Sequence, residues 1–131
     1  MISSKLKTIF GISVLLFVAH GLEEYLTGFY NIDSHFSFVF RPLFAMPIEQ
    51  ATFLLFQIMI WFLFSFCFLL VSGEKWQIRL MTLLGFGYLY ELHHIIKAVY
   101  VGGYYPGLIT ALTFPILAFF YWRELSVILK K

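Results

Sequence analysis

From Phe53 to Val71 the sequence reads FLLFQIMIWFLFSFCFLLV, without a charged residue. A helix of about 20 mostly apolar residues crosses the roughly 30 Å hydrocarbon core of a bilayer. Such a run is hard to place in water. Extended back to Ile48, it forms the most apolar of four stretches of this kind, at about 7–25, 48–71, 76–101 and 107–129. The third is interrupted by Glu91, His93, His94 and Lys97. Hydrophobic residues make up 61% of the chain and charged residues 12%. That leaves too little polar surface to cover a soluble domain.

The expected fold is therefore all-α: an integral membrane four-helix up-down bundle, with residues 1–131 as one domain. The connections SGEK (72–75) and GGYYPG (102–107) are short, which makes successive helices antiparallel neighbours. The longer link, Gly28 to Pro47, holds a polar cluster of Asn31, Asp33 and His35 that reads as a solvated loop. Gly11, Gly21, Gly85 and Gly87 read as points of close helix approach. Pro115 should loosen the last helix near Ala111. Cys67 reads as a small core hydrophobe.

Charge placement sets an orientation. Lys5, Lys7, Lys75, Arg79, Arg123, Lys130 and Lys131 fall on the side shared by both termini and the middle turn, against Arg41 and Lys97 on the other. The excess of Lys and Arg marks the cytoplasmic side, so both termini are expected there, in the plasma or inner membrane. The stretch MISSKLK followed by IFGISVLLFVA resembles the start of a signal peptide. No clear small-residue cleavage site follows it, so a retained helix is expected. The net charge of +2 gives no case for nucleic acid. The expected partners are the bilayer, a hydrophobic small-molecule or lipid substrate, and further copies of the chain in a homo-oligomer.

Against this apolar background the ionisable groups stand out. At 1.5 Å rise per residue, His20, Glu23 and Glu24 lie about 20–26 Å up the first span, and Glu91, His93, His94 and Lys97 about 22–32 Å up the third. Glu49 begins the second span, and Thr110 and Thr113 begin the fourth. All four helices thus offer polar groups in one layer, in the outer third of the bilayer. His20, Glu23 and Glu24 are spaced i, i+3, i+4 and share a face, as do Glu91 and His94. His93 lies about 160° from Glu91 around the helix and is expected to point elsewhere. An Asp, Lys or Arg at a helix centre costs roughly 2.5–3.5 kcal/mol, while each Leu, Ile, Phe or Val returns about 0.3–0.6 kcal/mol, so two central carboxylates of similar cost would cancel the gain of the first span. Glu23 and Glu24 are therefore expected to lie near the headgroups, to face the bundle interior or to be partly protonated, and the matching layer on the third span favours a shared polar site.

The stretch HGLEE, His20 to Glu24, resembles the signature of the HXXEE family of small membrane proteins. A later His followed twelve residues on by Pro-Gly, within a Y-x-PG-x-x-TA stretch, is a second family feature. Here His94 precedes Pro106, and YYPGLITAL runs from Tyr104 to Leu112. Tyr90 stands where many members carry Asn. The resemblance implies that His20, Glu23, Glu24 and His94 act as a set, and implies no particular reaction.

Two chemistries suit these residues. His and carboxylate ligands suit zinc, iron or manganese, and His20, Glu23, Glu24, Glu49, Glu91 and His94 are the candidate ligands for a divalent metal. Without a metal, adjacent carboxylates with a neutral His form an acid–base pair, with His20, Glu23, Glu24 and His94 as catalytic groups. Either suits an enzyme acting on a lipid-like or small hydrophobic substrate. A small transporter or proton relay, or a structural membrane subunit, are the alternatives.

Overall fold

A computed structural model describes residues 2–130; its regular structure is helix, with no strand among the described residues. α1 spans Ser4–Thr27, α2 Phe29–Ile32, α3 Ser34–Phe44, α4 Ile48–Val71, α5 Glu74–Tyr90, α6 Leu92–Val101, α7 Leu108–Ala111 and α8 Phe114–Leu129. Three helical stretches are long and apolar enough to cross a membrane: Ser4–Thr27, Ile48–Val71 and Leu108–Leu129. They suggest a membrane protein.

Local chemistry explains where these helices begin and end. The Ser3 hydroxyl accepts the Leu6 N–H at 3.1 Å and caps α1, satisfying one donor that a helix start leaves free. Gly28, at φ 76°, ends α1 in the left-handed conformation. The link expected as a loop is mostly helix, because Asp33 caps α3 by accepting the Phe36 N–H at 2.7 Å. Pro115 cannot donate to the Ala111 carbonyl, and the helix breaks there into α7 and α8.

The third expected span is also divided. Glu91 separates α5 from α6 but keeps helical dihedrals (φ −64°, ψ −14°). Its carbonyl accepts the His94 N–H at 3.3 Å, a bond three residues long. In such a tightened turn residues i and i+3 eclipse each other. Glu91 and His94 are thereby stacked on one side.

The core joins α1, α5 and α7–α8. Leu6, Met81, Tyr88, Ala111, Phe114, Ala118, Tyr121 and Leu125 form one buried cluster. α8 packs on both α5 and α1. Gly85 allows α5 and α8 to approach closely: a Cβ there would lie 2.9 Å from the Trp122 ring. The Trp122 indole N–H donates to the Gly85 carbonyl at 3.1 Å and the Tyr121 hydroxyl to the Met81 carbonyl at 2.7 Å. Directions follow from the contacts. Lys5 pairs with Glu124 at 2.8 Å, while at the other end His20 meets Thr110, so α1 and α7–α8 run antiparallel. Tyr88 on Ser13 and His94 on His20 make α5–α6 parallel to α1.

α4 departs from the expected bundle. It buries no residue and packs chiefly on α5. Cys67, expected in the core, is therefore exposed. Gly11 and Gly21, expected at close contacts, have nothing within 4 Å of an added Cβ, and Gly87 meets only Phe17 at 3.8 Å.

Candidate metal centre

His20 on α1 and His94 on α6 are almost completely buried, at 3% and 0% exposure. Their positions are fixed through Nδ1. His94 Nδ1 lies 2.6 Å from the Pro106 carbonyl, which can only accept. His94 therefore carries its proton on Nδ1. His20 Nδ1 lies 2.7 Å from the Thr110 hydroxyl. That hydroxyl lies 2.6 Å from Glu23 Oε2 and donates its proton to the carboxylate, so it accepts from His20. Both imidazoles are held as Nδ1–H tautomers, assigned from their partners.

Both Nε2 atoms then face the same point. They are 3.2 Å apart. Glu91 Oε2 lies 2.9 Å from His20 Nε2 and 3.4 Å from His94 Nε2. Glu24 Oε1 lies 3.2 Å from His94 Nε2 and 3.8 Å from His20 Nε2. The two imidazole nitrogens and Glu91 Oε2 converge, with Glu24 Oε1 beside His94, and no donor lies among them in these tautomers. Such a cluster repels itself unless positive charge sits inside it, as a proton or a metal ion.

The spacing fits a metal. Zinc takes His nitrogen and carboxylate oxygen at about 2.0–2.2 Å, so the edges of its ligand tetrahedron measure roughly 3.3–3.6 Å. The three separations among His20, Glu91 and His94, 3.2, 2.9 and 3.4 Å, lie close to that value. The buried His20, Glu91 and His94 group could hold a metal ion, its three ligand atoms all lying within 4.8 Å of one another. Nδ1–H bonds to a carbonyl and to a carboxylate-bound hydroxyl are the outer contacts that orient metal-binding imidazoles.

Glu23 does a different job from the one expected of it as a ligand. Oε2 accepts the Thr110 N–H at 2.8 Å as well as its hydroxyl, and Oε1 accepts the Ile109 N–H at 2.9 Å and the Tyr104 hydroxyl at 2.8 Å. With both oxygens occupied, Glu23 secures α7 and, through Thr110, His20. Glu24, one residue on, is rotated by about 100° and faces the imidazoles instead. Glu49 is not brought to the site: it is exposed in the first turn of α4, beside Thr52 and Phe53. His93 turns away, with Nδ1 2.9 Å from the Tyr90 carbonyl.

The YYPG turn and the link before α4 complete the surroundings. Gly107 (φ 84°) packs against both imidazoles, and an added Cβ would lie 2.7 Å from His94 Nδ1 and 2.8 Å from His20 Cε1. The Phe29 ring covers His94 at 5.1 Å between centroids. Asp33, read from sequence as a solvated loop residue, is buried at 1% exposure. It accepts the Tyr105 hydroxyl at 2.8 Å in addition to capping α3. Burial pushes the Asp33 carboxyl up, but the Phe36 N–H, the Tyr105 hydroxyl and nearby His35 and His93 outweigh it and hold the group below its usual value. Burial and the Asp33 carboxylate push the Tyr105 phenol up. The one sequence signal for Asp33 was its place as a capping residue before a helical stretch.

A family model described as "Protein of unknown function with HXXEE motif" matches residues 12–121. The chain belongs to the HXXEE family. No curated protein and no solved structure matches it. The HXXEE motif here is His20-Gly21-Leu22-Glu23-Glu24, and its three polar positions divide the labour. His20 and Glu24 face the cluster of lone pairs, while Glu23 fixes the opposing turn. In this HXXEE chain the turn answers residue by residue: Tyr104 and Thr110 bind Glu23, Tyr105 binds Asp33, Pro106 binds His94, and Gly107 makes room for both imidazoles.

Proposed function

We propose that this HXXEE chain is an integral membrane enzyme that uses a divalent metal, zinc, iron or manganese, on a lipid-like or small hydrophobic substrate. α1, α4, α5–α6 and α7–α8 are its four crossings, in up-down order, with both termini cytoplasmic and the site near the outer face. His20, His94 and Glu91 are the metal ligands. Glu24 is the fourth ligand or the general base, its side chain being the most accessible of the four at 25% exposure. The observation that carries this reading is the convergence of two imidazole Nε2 atoms and the Glu91 carboxylate on one point, with both Nδ1 atoms already committed and the Glu24 carboxylate beside His94. A metal there would polarise a substrate carbonyl or phosphoryl oxygen and acidify a bound water.

A proton inside the cluster would satisfy the same electrostatics, which keeps an acid–base site as the second reading. A transport path is less favoured, because the core beyond Phe114 is closed by Tyr88, Tyr121 and Leu125, each buried completely. Elemental analysis of protein purified in mild detergent separates the readings. About one metal ion per chain is expected, and its loss in His94→Ala and Glu91→Gln. Metal-free protein that also fails to take up zinc, iron or manganese on titration would overturn the metal reading and leave the acid–base one.

A further inference from the structure

An apolar groove runs between α1 and α5, lined by Phe10, Val14 and Phe17 on one side and Leu84, Gly87 and Tyr88 on the other. Its volume is ≈ 560 Å³. Two features tie it to the polar site. The first is helical register. Phe10, Val14, Phe17, Gly21 and Glu24 recur at intervals of four and three residues, which makes one seam along α1. Leu84, Gly87 and Glu91 make the matching seam along α5. Both seams lead from the groove to the two carboxylates, whose side chains are the more accessible edge of the cluster: 25% for Glu24 and 14% for Glu91, against 3% for His20 and 0% for His94.

The second feature is the pair of glycines at the junction. Packing does not require them: an added Cβ meets nothing within 4 Å at Gly21 and only Phe17 at 3.8 Å at Gly87. Both positions are uncrowded where the two seams pass from the groove toward the carboxylates. Length supplies a further match. From Phe10 to His20 is about 15 Å along the helix, half the roughly 30 Å hydrocarbon thickness, which is the reach of one lipid tail.

We propose that this groove holds the hydrocarbon chain of the substrate, a single-chain amphiphile whose carboxyl or acyl carbonyl end reaches the His20–Glu91–His94 site through the gap at Gly21 and Gly87. The order of chemistry along the groove, apolar below and metal-binding above, matches that of a long-chain fatty acid or acyl ester. Assignment of the head rests on the metal reading, whereas chain binding is measured independently of it.

The test uses the full chain in phosphatidylcholine nanodiscs, with hexadecanoic acid carrying a mid-chain diazirine as the photoreactive probe. Labelling is expected to saturate, to map to the Phe10–Phe17 and Leu84–Tyr88 segments, and to be competed by hexadecanoic acid but not by hexanoic acid. Gly21→Leu combined with Gly87→Leu should weaken saturable labelling by about tenfold or more, the worth of about two buried methylenes. Helicity and metal content should be unchanged. Unsaturable labelling spread equally over the exposed face of α4 would mean ordinary lipid contact and would overturn the proposal, as would labelling lost on cross-linking to a second copy through the groove. If the wild-type chain holds no metal and takes none up on titration, yet labels saturably, the groove stands and the metal reading falls. If metal is bound and saturable labelling is absent, the reverse holds.

Discussion

His20 and His94 are 74 residues apart in the chain, yet their Nε2 atoms lie 3.2 Å from each other in the buried end of the helix core. Two imidazole nitrogens with outward lone pairs do not approach so closely without a cation between them. Each ring has already spent its Nδ1 proton on a neighbour, so the charge has to come from a further proton or a metal.

Thr110 carries Glu23's influence to His20, so its hydroxyl should matter more than its size. Thr110→Val removes the acceptor for His20 Nδ1 and the donor to Glu23. Metal affinity should fall by about 10–100-fold, the usual worth of an outer contact to a metal-binding His. Thr110→Ser should keep it. Competition with a chromophoric chelator measures both, and equal affinities in wild type and Thr110→Val would refute the relay.

Gly107 and Gly11 should respond in opposite ways to the same change. A methyl group at Gly107 would collide with both imidazoles and would sit at φ 84°. Gly107→Ala should therefore abolish metal uptake. Gly11 is inside α1 with open space around it, where Gly→Ala gains roughly 0.5–1 kcal/mol. Gly11→Ala should leave metal content intact and raise the thermal midpoint in detergent slightly.

Asp33 should make the α3 region sensitive to acid. Its folded-state pKa is lowered, from a reference of 3.8. A lowered value means that the carboxylate stabilises the fold at pH above the unfolded value, and that this contribution disappears as pH falls through the folded one. Hydrogen exchange of the Phe36 amide should accelerate, relative to the rest of the chain, below about pH 4. In Asp33→Ala the cap is gone at every pH and the Tyr105 hydroxyl is orphaned, at a cost of about 1–2 kcal/mol. An acid profile for Phe36 that is the same in wild type and Asp33→Ala would count against the assignment.

The Tyr88–Ser13 pair tests polar satisfaction in the core. Tyr88 is fully buried and donates to Ser13 at 2.6 Å, while Ser13 donates to the Ile9 carbonyl at 2.6 Å. Ser13→Ala leaves the phenol without an acceptor and should cost about 1–3 kcal/mol. Tyr88→Phe leaves Ser13 still bonded to Ile9 and should cost less. Adding Tyr88→Phe to Ser13→Ala should recover part of the loss, as unfolding in mixed detergent would show.

Much of this arrangement was legible in the sequence, within limits set by helical geometry. The apolar runs gave α1, α4 and α7–α8 to within a few residues, and three-residue spacing put Glu91 and His94 on one face. The link between α1 and α4 was misread because its caps are local but its burial is not. Asp33 becomes a buried residue only when Tyr105, 72 positions away, comes to meet it. Cys67 and Glu49 failed for the converse reason: an apolar helix looks the same from sequence whether it enters a core or lies outside one, and α4 lies outside.

By itself, then, the sequence determined helices, their apolar character, and which residues share a side within each. A repeat of 3.6 residues fixes those directions however the helices are later packed. Only the tertiary structure decided how each helix is rotated against its neighbours. That rotation sends Glu24 to the imidazoles and Glu23, about 100° away, to the turn that holds them.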